Sequence, residues 1–254
     1  MPLLDRDGVR IHYEVHGQGP VVLLSHGYSA TSQMWRGQIA ALSKDHTLVI
    51  WDMRGHGLSD SPADPARYSA EATIDDMAAL LDAVGAERAV IGGLSLGGYM
   101  SLMFHAKYPQ RVRALLILDT GPGFRKDEAR NGWNQQAART AERFEQEGMA
   151  KVSALRESTT GGTHRSATGL ALAARGMLAQ RDATVIESLP GIRVPSLIVV
   201  GADDTPFLQS AEVMAAKIAG ASKVVIPAAG HTANIDQPQA FNDAVLGFLK
   251  TLPA

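Results

Sequence analysis

The chain has no cysteine among its 254 residues. Disulfide bridges, thiolate catalysis and metal sites built on cysteine are therefore excluded. It also has no excess of charge of either sign, because 24 basic and 26 acidic residues leave a formal net charge of -2. This balance gives no reason to expect nucleic acid or an anionic membrane surface as a partner.

Long apolar runs are missing as well, and none approaches the roughly 20 residues that span a bilayer. The first residues, MPLLDRDGVRIHYEV, place acids and a glycine where a signal peptide needs an unbroken apolar stretch. With 45% hydrophobic and 20% charged residues, the composition is that of an ordinary soluble domain with a sizeable core. We therefore expect a cytoplasmic protein, as a monomer or a homodimer.

Short segments rich in Val, Ile and Leu recur along the chain, each bounded by glycine or polar residues. Such segments are typical of buried strands in a parallel sheet. The stretch VRIHYEVHGQGP alternates apolar and polar residues instead, which predicts an antiparallel hairpin at one edge of the sheet. The predicted buried strands are Val21–Ser25, Thr47–Asp52, Ala89–Gly92, Val112–Asp119, Ser196–Gly201 and Lys223–Ile226.

Helical patterns lie between these strands. The segment SAEATIDDMAALLDAVGA begins at a capping serine, Ser69, and ends at Gly85. Similar patterns occur in GGYMSLMFHAKYPQ, SAEVMAAKIAG and QPQAFNDAVLGFLKTL. Alternation of strands and helices predicts an α/β fold with a mostly parallel sheet and helices on both of its faces.

Residues 121–190 interrupt the alternation, because no strand is predicted there. Trp133, Ala137, Ala141 and Phe144 recur at helical spacing, TTGGTH is typical of a loop, and SATGLALAARGMLAQ predicts a further helix. We predict a helical cap at 121–190, laid over the end of the sheet. The core would then comprise residues 1–120 and 191–254.

The stretch VIGGLSLGGYM places Ser95 between glycines two residues away on either side. A predicted strand precedes this G-x-S-x-G pattern and a predicted helix follows it, which is the context in which the pattern carries a nucleophile. The glycines leave room for a strained turn that exposes the hydroxyl. We therefore predict that Ser95 is a nucleophile and not part of a packing turn. The glycine spacing fits neither a dinucleotide fingerprint nor a P-loop.

A serine hydroxyl needs a base to accept its proton and a third group to orient that base. His231 is the best candidate base, because it follows a predicted strand in a loop of small residues, within KVVIPAAGHTANIDQP. Three acids also follow predicted strands, namely Asp119, Asp203 and Asp204. The pattern alone leaves the choice among these acids open.

Together these motifs resemble the α/β-hydrolase fold family, and the resemblance covers essentially the whole chain. The family's order of nucleophile, acid and histidine implies Ser95, Asp204 and His231. Its acid usually lies three residues after a strand-terminal glycine, here Gly201, which favours Asp204 over Asp203. Some members place the acid after the preceding strand, which keeps Asp119 as an alternative.

Two further motifs fit the resemblance. LLSHGYSATSQMW resembles the family's HG motif, which implies that the backbone N–H groups of Tyr28 and Leu96 form an oxyanion hole and that His26 braces the loop. WDMRGHGLSD resembles a turn after the next strand. Its Asp52 and His56 could suggest a metal site, but the resemblance makes them structural. No metal or organic cofactor is implied.

Within the family, the chain looks most like 3-oxoadipate enol-lactonases and carboxylesterases, which implies a small-molecule ester or lactone as substrate. The serine argues against epoxide hydrolases and haloalkane dehalogenases, which use an aspartate at that position. Cofactor-free perhydrolases (haloperoxidases), carbon–carbon bond hydrolases and small-ligand receptors of the same fold remain alternatives. Beside Tyr28, the candidate lining residues of the substrate pocket are Trp35, Phe124, Trp133, Met177 and Phe207.

Overall fold

Eight strands form one sheet in the computed structural model, which describes residues 2–156 and 162–253. Their order across the sheet is β1-β2-β4-β3-β5-β6-β7-β8. Each buried strand predicted above is confirmed to within two residues at either end. The strands are β1 (Leu3–Arg6), β2 (Val9–His16), β3 (Val21–Ser25), β4 (Thr47–Trp51), β5 (Ala89–Leu94), β6 (Val112–Leu118), β7 (Ser196–Gly201) and β8 (Ser222–Ile226).

The sheet is mostly parallel, as predicted. Strands β3 to β8 pair in parallel, whereas β1 pairs with β2 and β2 with β4 in antiparallel register. An antiparallel hairpin, β1-β2, does lie at the edge of the sheet, but the glycines after His16 do not form its turn, because the chain there leads to β3, which is not a neighbour of β2. The turn of the hairpin lies at Asp7 and Gly8, which both have positive φ angles, of 55° and 79°.

The helices are α1 (Arg36–Leu42), α2 (Ala70–Ala83), α3 (Leu96–Lys107), α4 (Asp127–Arg156), α5 (Ala167–Ala173), α6 (Thr184–Ser188), α7 (Thr205–Lys217), α8 (Ala233–Asp236) and α9 (Pro238–Leu249). Ser69 caps α2 as predicted, because its hydroxyl accepts the Ala72 N–H at 3.0 Å. Helices α1, α6 and α8 were not predicted, since each has seven residues or fewer and too few turns to show a helical period. Helix α5 is as short, but its pattern continues through the π-helical turn that follows it. No helix within 2–156 or 162–253 combines the length and apolar character needed to cross a bilayer.

The sheet separates two hydrophobic clusters, because successive residues of a strand point to opposite faces. Leu23 packs with residues of α2, α3 and α7 on one face. Its neighbours Val22 and Leu24 pack with residues of α1 and α9 on the other face. Helices therefore cover both faces, as the alternation of elements predicted.

Residues 121–190, the predicted cap, contain helices and no strand in their described part. The predicted apolar stripe is largely buried: Ala137, Ala141 and Phe144 are covered, and the last two pack against Leu170 and Ala171 of α5. Helix α4 is interrupted at Gly148, which has a φ of 57° and a ψ of -139°. Part of the predicted loop TTGGTH, residues 159–161, lies outside the described residues. The division into core and cap stays a prediction.

Two of the predicted pocket residues belong to the hydrophobic core. Trp35 is completely buried on the α1 and α9 face, with its ring centroid 6.4 Å from that of Phe241. Met177 is completely buried on the opposite face, in a π-helical turn that follows α5. We therefore expect both side chains to contribute to stability.

We predict that Met177→Ala lowers the free energy of unfolding by about 2–5 kcal/mol, because it leaves a cavity in the core. Met149→Ala is the matched control, since Met149 belongs to the same predicted cap but is 49% exposed; it should cost less than about 0.5 kcal/mol. Urea unfolding measures both values. Equal losses for the two variants would contradict the placement of Met177.

Candidate active site

Ser95 stands at the junction of β5 and α3 in a backbone conformation that is unusual for a serine, with a φ of 55° and a ψ of -115°. Such a conformation costs on the order of 1–3 kcal/mol and persists only where the surroundings hold it. Here the Ser95 N–H donates to the Leu118 carbonyl at 3.0 Å. The Ser95 carbonyl accepts the Tyr99 N–H at 3.0 Å and the Thr120 hydroxyl at 2.7 Å. The strained turn is thus fixed from both β6 and α3.

The glycines around Ser95 are required by close backbone contacts. A Cβ atom on Gly97 would lie 2.2 Å from the Ser25 carbonyl oxygen, and one on Gly93 would lie 2.5 Å from the Gly97 carbonyl carbon. A Cβ atom on Gly98 would lie 2.6 Å from a methyl carbon of Thr120. Larger residues would therefore displace β3 or α3. This packing explains the glycine spacing from which the motif was recognised.

His231 and Asp204 are joined by a hydrogen bond. The His231 Nδ1–H donates to Asp204 Oδ2 at 2.8 Å, which leaves Nε2 as the acceptor of the ring. The Asp204 side chain is 4% exposed, whereas that of His231 is 42% exposed. Asp203 is exposed, and its N–H bonds to the Ala229 carbonyl. Of the two adjacent acids, the structure therefore pairs Asp204 with the histidine.

Asp119, the third candidate acid, is buried beside this pair. Its Oδ1 accepts the Gly201 N–H at 2.8 Å. Burial raises the pKa of Asp119 to about 7; the charge of Asp204 adds to the rise, while the backbone N–H groups of Gly201 and Ala233 and the nearby His231 oppose it. A large share of Asp119 is therefore protonated at neutral pH.

A cavity of about 220 Å³ opens at Ser95 between the sheet edge and the helices of the predicted cap. Its wall includes Leu96, Tyr99, Phe124, Trp133 and Phe207. The Phe207 ring also stacks on the His231 ring, with centroids 4.9 Å apart and planes at 23°. The histidine is thus held next to a wall of the cavity that Ser95 lines.

The residues that line this cavity agree only in part with the predicted lining of the substrate pocket. Phe124, Trp133 and Phe207 lie in its wall, and their contact with a substrate stays a prediction. Tyr28 does not line it, because its side chain packs towards α5. Trp35 and Met177 do not line it either, so the assignment of these side chains to the pocket was wrong. Both are apolar residues whose type suits a core as well as a pocket.

Other lining residues were missed. They include Tyr99, Thr120 and Gln180. Tyr99 could have been found, because it follows Ser95 by one helical turn. Gln180 follows the last helical turn of its segment without any periodic signal.

The loop of the HG motif lies against Ser95, since a Cβ atom on Gly27 would be 3.4 Å from the Ser95 Cβ. Tyr28 follows directly. The Leu96 N–H belongs to the first residue of α3, where N–H groups have no acceptor within the helix. The Tyr28 side chain turns away to α5, where its hydroxyl donates to the Leu170 carbonyl at 2.8 Å. The oxyanion roles of the two N–H groups stay a prediction.

Three buried histidines fasten the neighbouring loops together. His26 donates from Nδ1 to the Gly27 carbonyl at 2.7 Å and accepts the Met53 N–H at Nε2 at 2.9 Å. His56 and His164 likewise use both ring nitrogens on backbone groups, and both bind to Ser29. Burial lowers the pKa of His26 to about 4 and that of His56 well below its usual value.

Each of the three rings accepts a backbone N–H at one nitrogen, so its lone pair is already used. Asp52 accepts the N–H groups of Ser32 and Leu58 at 2.7 and 2.8 Å, which gives this carboxylate a structural role. No cluster of acids and histidines that could hold a metal ion occurs within the part of the chain that the structure covers.

The family match agrees with the α/β fold described above. Residues 20–166 match the family described as the alpha/beta hydrolase fold, which is more than half of the chain. The protein therefore belongs to the α/β-hydrolase family, as the resemblance of its motifs implied.

Individual relatives carry several activities. The chain is 28% identical to 3-oxoadipate enol-lactonase 2 of Acinetobacter baylyi over 97% of this chain and 96% of the relative. It is 26% identical to a Bacillus subtilis protein assigned as a 2-succinyl-6-hydroxy-2,4-cyclohexadiene-1-carboxylate synthase, over 97% of both chains. A solved thermophilic esterase from Thermogutta terrifontis is 30% identical, with a TM-score of 0.83 over 98% of this chain and 96% of its own. The protein is thus a hydrolase-fold enzyme with lactonase and esterase relatives.

Asp119 gives a test of the electrostatics at this site. Its pKa in the folded state, about 7, lies above that of an unfolded aspartate, so its favourable contribution to folding is present at low pH and is lost as the pH rises through 7. Asp119→Asn removes the ionisation. We predict that the variant gains stability relative to the parent, on the order of a few kcal/mol, between about pH 5 and about pH 8.

Urea unfolding at the two pH values measures this gain. Asp203→Asn is the control, because Asp203 is exposed and should show no comparable change. Parallel pH dependence for the parent and Asp119→Asn would show that the Asp119 pKa is not raised.

Proposed function

We propose that the protein is a serine hydrolase that cleaves a small-molecule carboxylic ester or lactone through an acyl-enzyme. The observation that carries this proposal is the hydrogen bond of 2.8 Å between His231 Nδ1 and Asp204 Oδ2, next to the cavity that Ser95 lines. A histidine oriented in this way keeps Nε2 free to accept a proton from a serine hydroxyl.

The reaction proceeds in two halves. His231 Nε2 takes the Ser95 proton as Oγ attacks the carbonyl carbon, and Asp204 stabilises the imidazolium that forms. The N–H groups of Leu96 and Tyr28 bind the oxyanion, a contact worth about 10²–10³ in rate per donor in other enzymes. The tetrahedral intermediate collapses, and the alcohol leaves with the proton from His231; in a lactone this alcohol stays attached to the acyl group.

Deacylation repeats the sequence with water. His231 takes a proton from the water molecule that attacks the acyl carbon, then returns it to Ser95 as the acid is released. No metal or organic cofactor takes part in these steps. The enol-lactonase and esterase relatives support the choice of ester or lactone. A perhydrolase or a carbon–carbon bond hydrolase with the same three residues is the alternative reaction, and a ligand receptor is the alternative without turnover.

Hydrolysis of p-nitrophenyl butyrate tests the proposal. We predict that Ser95→Ala lowers kcat by about 10⁶, as loss of the nucleophile does in subtilisin. Asp204→Asn should lower it by about 10⁴, as loss of the orienting carboxylate does in a serine protease. Asp203→Asn is the matched control, since the adjacent carboxylate is exposed and should leave kcat within a factor of a few.

Retention of more than about a tenth of the activity in Ser95→Ala would refute the nucleophile. A crippling effect of Asp119→Asn with an active Asp204→Asn would move the acid to the end of β6. Tight binding of the ester without product would favour the receptor. Turnover of diketones or peroxide-dependent halogenation in place of ester hydrolysis would favour the alternative enzymes.

A further inference from the structure

Gln180 is a buried polar residue in the wall of the cavity that Ser95 lines. The residue is 8% exposed, and within the described residues its Oε1 has no hydrogen-bond partner. A buried acceptor without a partner is costly and rare, and it needs an explanation where it occurs. The Gln180 amide takes no part in the proposed steps at Ser95, His231 and Asp204.

The backbone around Gln180 is fixed by helix α4. The Asn134 Nδ2–H donates to the Gln180 carbonyl at 2.7 Å, and the Gln180 N–H donates back to Asn134 Oδ1 at 2.8 Å. One residue earlier on the helix, the Trp133 Nε1–H donates to the Leu178 carbonyl at 2.7 Å. The backbone of Gln180 is therefore held against α4, and this fixes where its side chain leaves the main chain at the cavity wall.

The amide oxygen faces other lining residues of the cavity. A Cβ atom on Gly123 would lie 2.7 Å from Gln180 Oε1 and 3.2 Å from a ring carbon of Tyr99. Gly123 has a φ of 83°, so both its conformation and its lack of a side chain leave space at the oxygen. All three residues line the same cavity as Ser95.

The surroundings favour a neutral partner for this oxygen. None of the described residues that line the cavity carries a charge at neutral pH, and burial raises the pKa of Tyr99 to about 12. The guanidinium of Arg130 is already bound to the Phe124 carbonyl and to Asp127. Gln180 and Tyr99 also line a neighbouring cavity, whose one cation among the described lining residues, Arg181, pairs with Glu71. A carboxylate in the cavity at Ser95 would thus lose its hydration without an unpaired cation in the wall.

We propose that Gln180 determines specificity by accepting, at Oε1, a hydrogen bond from a neutral donor in the substrate, a hydroxyl or an amide N–H remote from the scissile carbonyl. This inference rests on the proposed ester or lactone hydrolysis. The expected substrates are uncharged esters or lactones whose acyl chain carries a hydrogen-bond donor. A substrate hydroxyl or amide N–H would donate the hydrogen bond that Gln180 Oε1 lacks within the described residues, whereas an isosteric methyl group cannot donate one.

Paired substrates test the inference. We compare kcat/KM for p-nitrophenyl 6-hydroxyhexanoate and heptanoate, which differ in a terminal hydroxyl and methyl group, and for a pair two methylenes longer. The mono-p-nitrophenyl ester of adipate adds a terminal carboxylate. We expect the parent to prefer the hydroxyl ester by about 10- to 100-fold in at least one pair and to disfavour the carboxylate.

Gln180→Met keeps the size of the side chain and removes the acceptor, so the preference for the hydroxyl should disappear. Gln135→Met is the matched control, because Gln135 is an exposed glutamine on α4 that does not line the cavity. It should keep the full preference.

Equal kcat/KM within both pairs for the parent, or an unchanged preference in Gln180→Met, would overturn the inference while turnover itself upholds the hydrolase. Absence of turnover for every ester would refute the proposed function instead. The role of Gln180 is then decided by binding. Calorimetry measures the affinity of the matching methyl esters for Ser95→Ala and for Ser95→Ala combined with Gln180→Met. A selective affinity for the hydroxyl ester that the second substitution abolishes supports this role, and equal affinities overturn it.

Discussion

The turn at Ser95 packs directly against the end of β3, and the site depends on this contact between backbone segments. The positions of Gly93 and Gly97 leave no space for a Cβ atom between this turn and the Ser25 carbonyl. Because the nearest atoms belong to the backbone, no side-chain rearrangement could make room for a larger residue at position 93 or 97. The same contact brings Gly27 against Ser95, so the strain of the turn and the position of the HG loop depend on one another.

The parallel sheet explains how distant residues meet. Ser95, Asp204 and His231 follow β5, β7 and β8, and the carboxyl ends of parallel strands lie at one edge of a sheet. Residues 121–190 supply walls of the cavity at this edge through Phe124, which precedes α4, and Trp133 of α4. Two buried histidines connect the loops around this edge. His56, in the loop after β4, accepts the Ser29 N–H of the HG loop. His164, in the segment before α5, bonds to the Ser29 carbonyl and to the Gly57 N–H.

The sequence predicted those features in which the backbone conformation restricts the type of residue. Apolar runs located the strands, and glycines that admit no Cβ atom located the turn at Ser95. Asp204 was preferred over Asp203 only through the family resemblance, since the chain pattern does not show which of two adjacent carboxylates is buried. Prediction failed for Trp35 and Met177, because an apolar side chain has the same character in a core as in a cavity. Gln180 carried no signal, since its burial depends on Asn134 and Trp133 from a distant helix.

If Ser95 is an activated nucleophile, it should react covalently with an electrophile that acylates or phosphonylates active serines. A serine-directed fluorophosphonate is incubated with the parent protein, and the adduct is located by mass spectrometry of its peptides. We expect one adduct per chain, at Ser95, and none in Ser95→Ala. An adduct on another residue, or equal labelling of Ser95→Ala, would contradict this role of Ser95.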